Sequence, residues 1–461
     1  MEGLRAATFA AEDSPQRGNP FATPGTDTPE NPFATPIAAT PSRRPPHTRT
    51  TSPYGGTPVV GPRRRFKSSR LNGEFEKPWL QKSKREVNWD SIIFYTCIFI
   101  GLGIGGYFCW DETRGVPNHE NLDNWNHEVQ MNGFGTGSFD WTTTDEENSY
   151  VDAEGLHIVP TLTLESTDIT YEQLENGHTV NLTTDGRSDG KCTSDEIKRI
   201  DARYPCAAVS NTTKGQIINP VRSARLNTKG KKTIRYGRVE VTARMPRGDW
   251  LWPAIWMMPQ DSVYGEWPKS GEIDIAEARG NDARTYSMGD NLVSSTLHWG
   301  TATENDRWRK SYGEWGGKRV RYTEDFHTYG LEWSEKYLFT WLDGRLRQVT
   351  FFDFTKNKNL WTYGEFAGES INGSVPVDPW GSTGRANTPF DESFFLILNV
   401  AVGGTNSWFP DAIGGKPWAD SSETPMRDFW KGNETWVPTW GTKEERGMVI
   451  RSVKMWQEGR C

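Results

Sequence analysis

Between Ser270 and Asn281 the chain reads SGEIDIAEARGN, three carboxylates in the order E-x-D-x-x-E with isoleucines between them. Three acids on one strand are costly to bury, because each ionised carboxylate needs a partner or must take up a proton. Simple alternation puts Glu272 and Asp274 on one face and turns Glu277 into the core with Ile273 and Ile275. One β-bulge between Asp274 and Glu277 re-aims the last residue, so that all three acids face one cleft and both isoleucines stay inside. The two glutamates are then an effective four residues apart, about 13 Å along a strand. Leaning toward each other, their carboxyls would approach the roughly 5–5.5 Å of a retaining glycosidase pair, with Asp274 between them tuning protonation. A surface acidic strand would not alternate acids with isoleucines, and a calcium loop carries Gly and Asn where these stand.

The elements around this strand predict an antiparallel sheet protein. Arg238–Met245 alternates strictly, with Val239, Val241, Ala243 and Met245 on one face. Asp343-Gly344 separates two β-rich runs, a hairpin signal. Phe394–Val402 is continuously apolar and suits a strand buried on both faces. Helical periodicity is scarce beyond residue 110, and the many strands punctuated by Gly, Pro and Asn predict an all-β fold, a β-sandwich jelly roll with a concave cleft. Of 22 tryptophans, only Trp79, Trp89 and Trp110 precede this region. Flat indoles suit sugar faces and equally a tryptophan-rich core; composition does not choose between them.

Residues Ser223–Gln457, through LWPAIWMMP, SGEIDIAE, LHWG and PFDESFFLILNVAVGG, resemble glycoside hydrolase family 16, particularly its laminarinase-like and β-1,3-glucan-recognition members. The resemblance implies that Glu272 is the nucleophile, Glu277 the general acid/base and Asp274 the intervening acid. It also implies that Trp252 and Trp256 flank the cleft and stack glucosyl units and that His298 is a cleft histidine. Arg238 and Asn227 are lesser candidates for contacts to sugar hydroxyls. The expected activity is that of a retaining endo-β-glucanase or transglycosylase on β-1,3-linked or mixed-linkage glucan; the alternative is a β-glucan-binding receptor without catalysis. No cofactor or metal set is legible, since His298 and His327 lack Cys or His neighbours at ligand spacing, and a structural calcium ion cannot be read from the sequence.

The organisation of the chain bears on where this chemistry would occur. Residues 1–90 are rich in Pro, Thr, Ser and Arg and lack apolar periodicity, so they read as a disordered cytosolic tail. They repeat NPFATP from Asn19 and from Asn31, short Asn-Pro-Phe turns that resemble ligands of endocytic adaptors. Residues 91–110 run without a charge for about the length of a bilayer core and predict a transmembrane helix. Lys77, Lys82, Lys84 and Arg85 precede it and Arg114 follows it, which predicts type II topology, a single-pass membrane protein of the secretory pathway or plasma membrane whose domain 111–461 is lumenal or extracellular. This architecture is similar to that of the type II membrane proteins of fungal wall-glucan assembly. All four sequons, at Asn181, Asn211, Asn372 and Asn433, lie beyond the span. Cys97 and Cys109 fall within it, leaving Cys192 and Cys206 as the predicted disulfide and Cys461 unpaired. The net charge of -7, with basic residues crowded into the tail, argues against nucleic-acid binding by the folded part.

Overall fold

Two antiparallel sheets form the framework of the fold in this computed structural model, which describes residues 92–103 and most of 122–458. Residues 184–191 and 195–204, and positions 132, 134, 135, 357 and 372, lie outside the described residues, as do the Asn-Pro-Phe repeats, Cys109 and Cys461. The chain divides into two units, Met1–Val87 and Asn88–Cys461, and everything described belongs to the second.

The sheet that carries the acids has eight strands, and its centre runs Arg225–Asn227, Phe394–Val402, Leu251–Pro259, Glu272–Ala278 and Leu292–His298. The other has seven, with Gly237–Arg244 between His327–Trp333 and Met448–Gln457. The expected alternation is present: Val239, Val241 and Ala243 face inward and are fully buried. They meet Ile255, Met257, Ile273 and Leu396 of the facing sheet in one hydrophobic core, the arrangement of a β-sandwich. Asp343 opens the expected hairpin with φ of 58°, between strands Tyr337–Leu342 and Gln348–Asp353. Phe394–Val402 is the central strand beside Leu251–Pro259 and is buried on both faces apart from Asn399, which looks into the cleft.

Helices are short. Among the described residues beyond 122 the longest is Pro425–Lys431. Of the predicted span, residues 92–103 form a helix and the remainder lies outside the described residues. Among the described residues no helix is long and apolar enough to cross a membrane. Cys192 and Cys206 form the expected disulfide, with Cα atoms 5.4 Å apart.

Candidate active site

The acidic strand carries the bulge that its residue pattern requires. Against the strand Leu292–His298, Glu272 pairs with His298, Asp274 with Thr296 and Glu277 with Ser294, so three residues step past two between Asp274 and Glu277. Against Leu251–Pro259, Ile255 pairs with Ala276 and Trp256 with Asp274, which leaves Ile275 as the extra residue. A bulge strands one carbonyl from the ladder, and here the buried hydroxyl of Ser295 donates to the oxygen of Ile275 at 2.6 Å. The result is a parity change. Ile273 and Ile275 stay in the core while Glu272, Asp274 and Glu277 all line one cavity, together with Trp252, Trp256 and Asn399.

Each glutamate receives one indole N–H. Trp252 Nε1 donates to Glu277 Oε1 at 2.9 Å, and Trp267 Nε1 donates to Glu272 Oε2 at 2.8 Å. His298 holds the third acid. Its Nε2 lies 3.2 Å from Asp274 Oδ2, and its Nδ1 lies 2.5 Å from Asp306 Oδ2. The other oxygen of Asp306 accepts the backbone N–H groups of Trp299 and Trp308, so the carboxylate that orients the imidazole is itself held on three sides.

Electrostatics in this cluster are dominated by burial. It pushes Glu272 up to about 8, with the neighbouring Asp274 charge adding to it and His298 and Trp267 opposing. Asp274 rises to about 6 through burial and the charge of Glu277, against its hydrogen bond from His298. Glu277 rises to about 6, again through burial first, while His298 and the Trp252 hydrogen bond pull it down and Glu272 adds a smaller upward push. Burial favours a neutral His298, but hydrogen bonds to Asp274 and Asp306 outweigh it and lift the imidazole well above its ordinary value. Glu272 and Asp274 are hydrogen-bonded to each other, which requires a proton on one of the two carboxyls.

Glu272, Asp274 and His298 also bring ligand-type atoms within 4.8 Å of one another, a spacing that a metal ion could use. Both imidazole nitrogens already face carboxylates, however, and a protonated His298 supplies the positive charge that such an ion would bring.

The other sequence candidates separate. Trp252 is 8 % exposed and one face of its indole is covered by Trp408, at 5.0 Å and 16° between planes, so its edge toward Glu277 is what it offers the cavity. Trp256 lines the cavity with Arg225 over its ring at 4.7 Å and its Nε1 on Asn399. Asn227 is buried behind the cavity wall; it donates to Glu128, which grips Arg225 at 2.6 Å, so Asn227 supports the residue beside Trp256. Arg238 stands on the other sheet, paired with Glu240 and lying over Trp456, because its strand faces its neighbours there with the opposite parity from the core valines. It does not line the cavity. Of the sequons, Asn181, Asn211 and Asn433 are described and partly exposed, and Asn372 lies outside the described residues.

Sequence reasoning missed Trp267, Trp408, Asp306, Asn399 and Arg225. Trp267 carried a signal, standing five residues before Glu272, but Asp306 and Trp408 reach the site from loops with no periodicity to read.

A model of glycosyl hydrolases family 16 matches residues 169–374. A beta-1,3-glucan-binding protein of Penaeus monodon is 39% identical over 348 residues, 74% of this chain and 88% of that protein. A glucan endo-1,3-beta-glucosidase of Cryptopygus antarcticus is 36% identical over 226 residues, 48% of this chain and 66% of that protein. Among solved structures, the laminarinase catalytic domain from Thermotoga maritima aligns with a TM-score of 0.42 at 21% identity, over 74% of this chain and 96% of that chain.

Proposed function

For a chain that belongs to glycosyl hydrolases family 16, we propose a retaining endo-β-glucanase or transglycosylase acting on β-1,3-linked or mixed-linkage glucan, in cell-wall glucan remodelling or assembly. The observation that carries it is the bulged strand that turns Glu272 and Glu277 into one cavity, each with its own indole donor.

The chemistry follows from the two protonation environments. Glu277, lifted to about 6, keeps a proton in mildly acidic water and gives it to the glycosidic oxygen as the C1–O bond breaks. Glu272 Oε1 or Oε2 attacks C1 from the opposite face and forms a glycosyl ester. Glu272 must be anionic for this step. The proton it shares with Asp274 passes to Asp274 as positive charge grows at C1, and the Trp267 N–H then stabilises the carboxylate left behind. Water or a sugar hydroxyl next attacks C1, returns its proton to Glu277 and releases Glu272.

A second reading is a glucan-binding protein without turnover. It is favoured by the similarity to the Penaeus monodon relative, a beta-1,3-glucan-binding protein. Incubating the chain with defined β-1,3- and mixed-linkage glucans and analysing the products decides between them: new reducing ends or lengthened chains support catalysis, whereas retention on glucan with no product supports the receptor.

We further propose that the glucan-acting domain, residues 111–461, is lumenal or extracellular and is tethered through residues 91–110, with tail 1–90 cytosolic and its Asn-Pro-Phe motifs at Asn19 and Asn31 available to endocytic adaptors. The charge difference across the span and the one-sided sequons support this.

A further inference from the structure

Arg279 stands two residues past Glu277, just beyond the end of the strand Glu272–Ala278, and does not line the catalytic cavity. It is 8 % exposed. Its Nε donates to the carbonyl of Trp408 at 3.0 Å and its Nη2 donates to the same oxygen. The guanidinium carbon lies over the Trp408 ring at 3.9 Å and 5.8 Å from the ring of Phe409. Among the described residues Arg279 forms no ion pair. A buried cation without a carboxylate partner is costly, and packing alone would be served by an apolar side chain of similar size.

What this arginine holds is connected to the proposed acid. Trp408 comes from the loop that follows the strand Phe394–Val402, and its own Nε1 is buried without a hydrogen-bond partner, so no polar anchor fixes the ring. The ring is placed instead by the Arg279 guanidinium and by the Trp252 indole, stacked at 5.0 Å and 16°. Trp252 donates in turn to Glu277 Oε1 at 2.9 Å. Arg279, Trp408, Trp252 and Glu277 therefore form one series of contacts. Charge acts alongside it. Burial raises Glu277, while His298, the Trp252 hydrogen bond and Arg279 pull it down and Glu272 adds an upward push. Asp274 on the same strand also faces Glu277, as does Tyr312 on the strand Tyr312–Gly316. Arg279 itself is lowered by burial and held up by Tyr286, Glu277, Tyr312 and Glu314. Both tyrosines are raised by burial and stay neutral, and an arginine stays protonated, so Arg279 is a fixed positive charge beside the acid.

We propose that Arg279 is a positioning residue for Glu277: it clamps Trp408, keeps the stacked Trp252 indole N–H on the acid, and favours the carboxylate left once the glycosidic oxygen has taken the proton. The proposal rests on the reading of Glu277 as the acid/base. In the first step the proton of Glu277 passes to the glycosidic oxygen, the electron pair of the C1–O bond goes to that oxygen, and C1 bonds to Glu272. Glu277 is left anionic. A fixed cation and a held N–H stabilise that state more than the neutral one, so they act on the transition state in which the proton is leaving. The same carboxylate is then ready to accept a proton from water or a sugar hydroxyl.

The test uses the full-length chain with Arg279→Met, which keeps bulk without charge, Arg279→Gln, which keeps N–H donors, and Arg279→Lys, which keeps the charge. The Glu277 carboxyl is titrated by carbon-13 NMR, its signal identified by its loss in Glu277→Gln, and kcat/KM is followed against pH on glucan and on aryl glycosides. The two neutral variants should raise the Glu277 midpoint and the alkaline limb by about half a pH unit or more, and lower kcat/KM on glucan by about tenfold. Aryl glycosides, whose leaving groups need little protonation, should lose much less. Arg279→Lys should restore both midpoint and rate. An unmoved midpoint in the neutral variants, or a lysine variant displaced as far as they are, overturns the proposal. Should neither neutral variant fold, Trp408→Leu cuts the series between Arg279 and Trp252 and must raise the midpoint; an unmoved one again overturns the proposal. If the unaltered chain turns over no glucan, the catalytic reading fails, while the NMR titration still decides what Arg279 does to Glu277.

Discussion

Trp252 donates its indole N–H to Glu277 Oε1 at 2.9 Å while its ring stacks on Trp408, so one side chain both packs the cavity wall and sets the proton affinity of the proposed acid. The hydrogen bond favours the ionised form and pulls Glu277 down against the rise that burial imposes. Trp252→Phe keeps the stack and removes the donor. Glu277 should then hold its proton to higher pH, and the alkaline limb of the kcat/KM profile should move upward. An unmoved limb would show that Glu277 is not the titrating acid.

Replacing Glu272 with Gln should abolish turnover, by at least about 10⁴-fold, while near-ultraviolet circular dichroism stays native. Glu277→Ala should cost about 10²–10⁴-fold on glucan and much less on aryl glycosides, whose leaving groups need little protonation. Retention is checked by proton NMR at early times. Release of the α-anomer first from a β-glucan would exclude a glycosyl ester on Glu272.

The same glutamate should make the fold less stable as pH rises. Burial and the Asp274 charge push Glu272 up to about 8 in the folded chain, above the ordinary carboxylate value of the unfolded one, so the folded state binds the extra proton between those limits. Stability linked to this group is therefore fully present below the unfolded value and lost as pH rises through about 8. Glu272→Gln should raise Tm little near pH 4.5 and more at pH 8, by an amount worth one to a few kcal/mol, on the order expected for a shifted buried carboxyl. A thermal-melt series that shows the gain shrinking with pH would contradict this assignment.

His298 acts through the carboxylates on either side of it, and Asp306 holds its far nitrogen. Asp306→Asn removes one of the two hydrogen bonds that lift His298 and should bring its titration down, which proton NMR of the imidazole reads directly. The loss in kcat/KM should exceed the loss in glucan affinity. Equal losses would mean that Asp306 only shapes the loop.

Cys192 and Cys206 close a 14-residue separation, and removing the bridge by Cys192→Ser with Cys206→Ser should cost about 3 kcal/mol, seen in denaturant melts. Non-reducing peptide mapping of the native protein should recover the linked pair. Glycan mapping reads topology in the same preparation: occupancy at Asn181, Asn211, Asn372 or Asn433 supports a lumenal domain, and protease protection of the N-terminal tail inside vesicles would sink it.

The acids and their bulge were legible in a dozen consecutive residues because strand parity is local. Ile273, Ile275, Glu272 and Glu277 cannot all find acceptable surroundings on a regular strand, and one inserted residue resolves the conflict. Parity also gave the buried stripe of Val239, Val241 and Ala243 and the hairpin at Asp343, and the cysteine count left a single sensible disulfide. Parity says nothing about which strand lies alongside. Arg238 has the alternation of a cleft residue but stands on the other sheet, since only the pairing of its strand with Met448–Gln457 and His327–Trp333 decides which outer surface it joins. The resemblance implies that Trp252 and Trp256 both stack glucosyl units, and it does not show that Trp408 and Arg225, from distant parts of the chain, cover one ring and lie over the other. The proton balance of the site was decided in the same way. Sequence proximity points to Asp274 as the group that tunes protonation of the two glutamates, whereas burial by the assembled sheets is the largest cause of the rise at Glu277, and His298 and Trp252 arrive from neighbouring strands to oppose it. Burial is a property of everything packed around a group, which no short stretch of sequence contains.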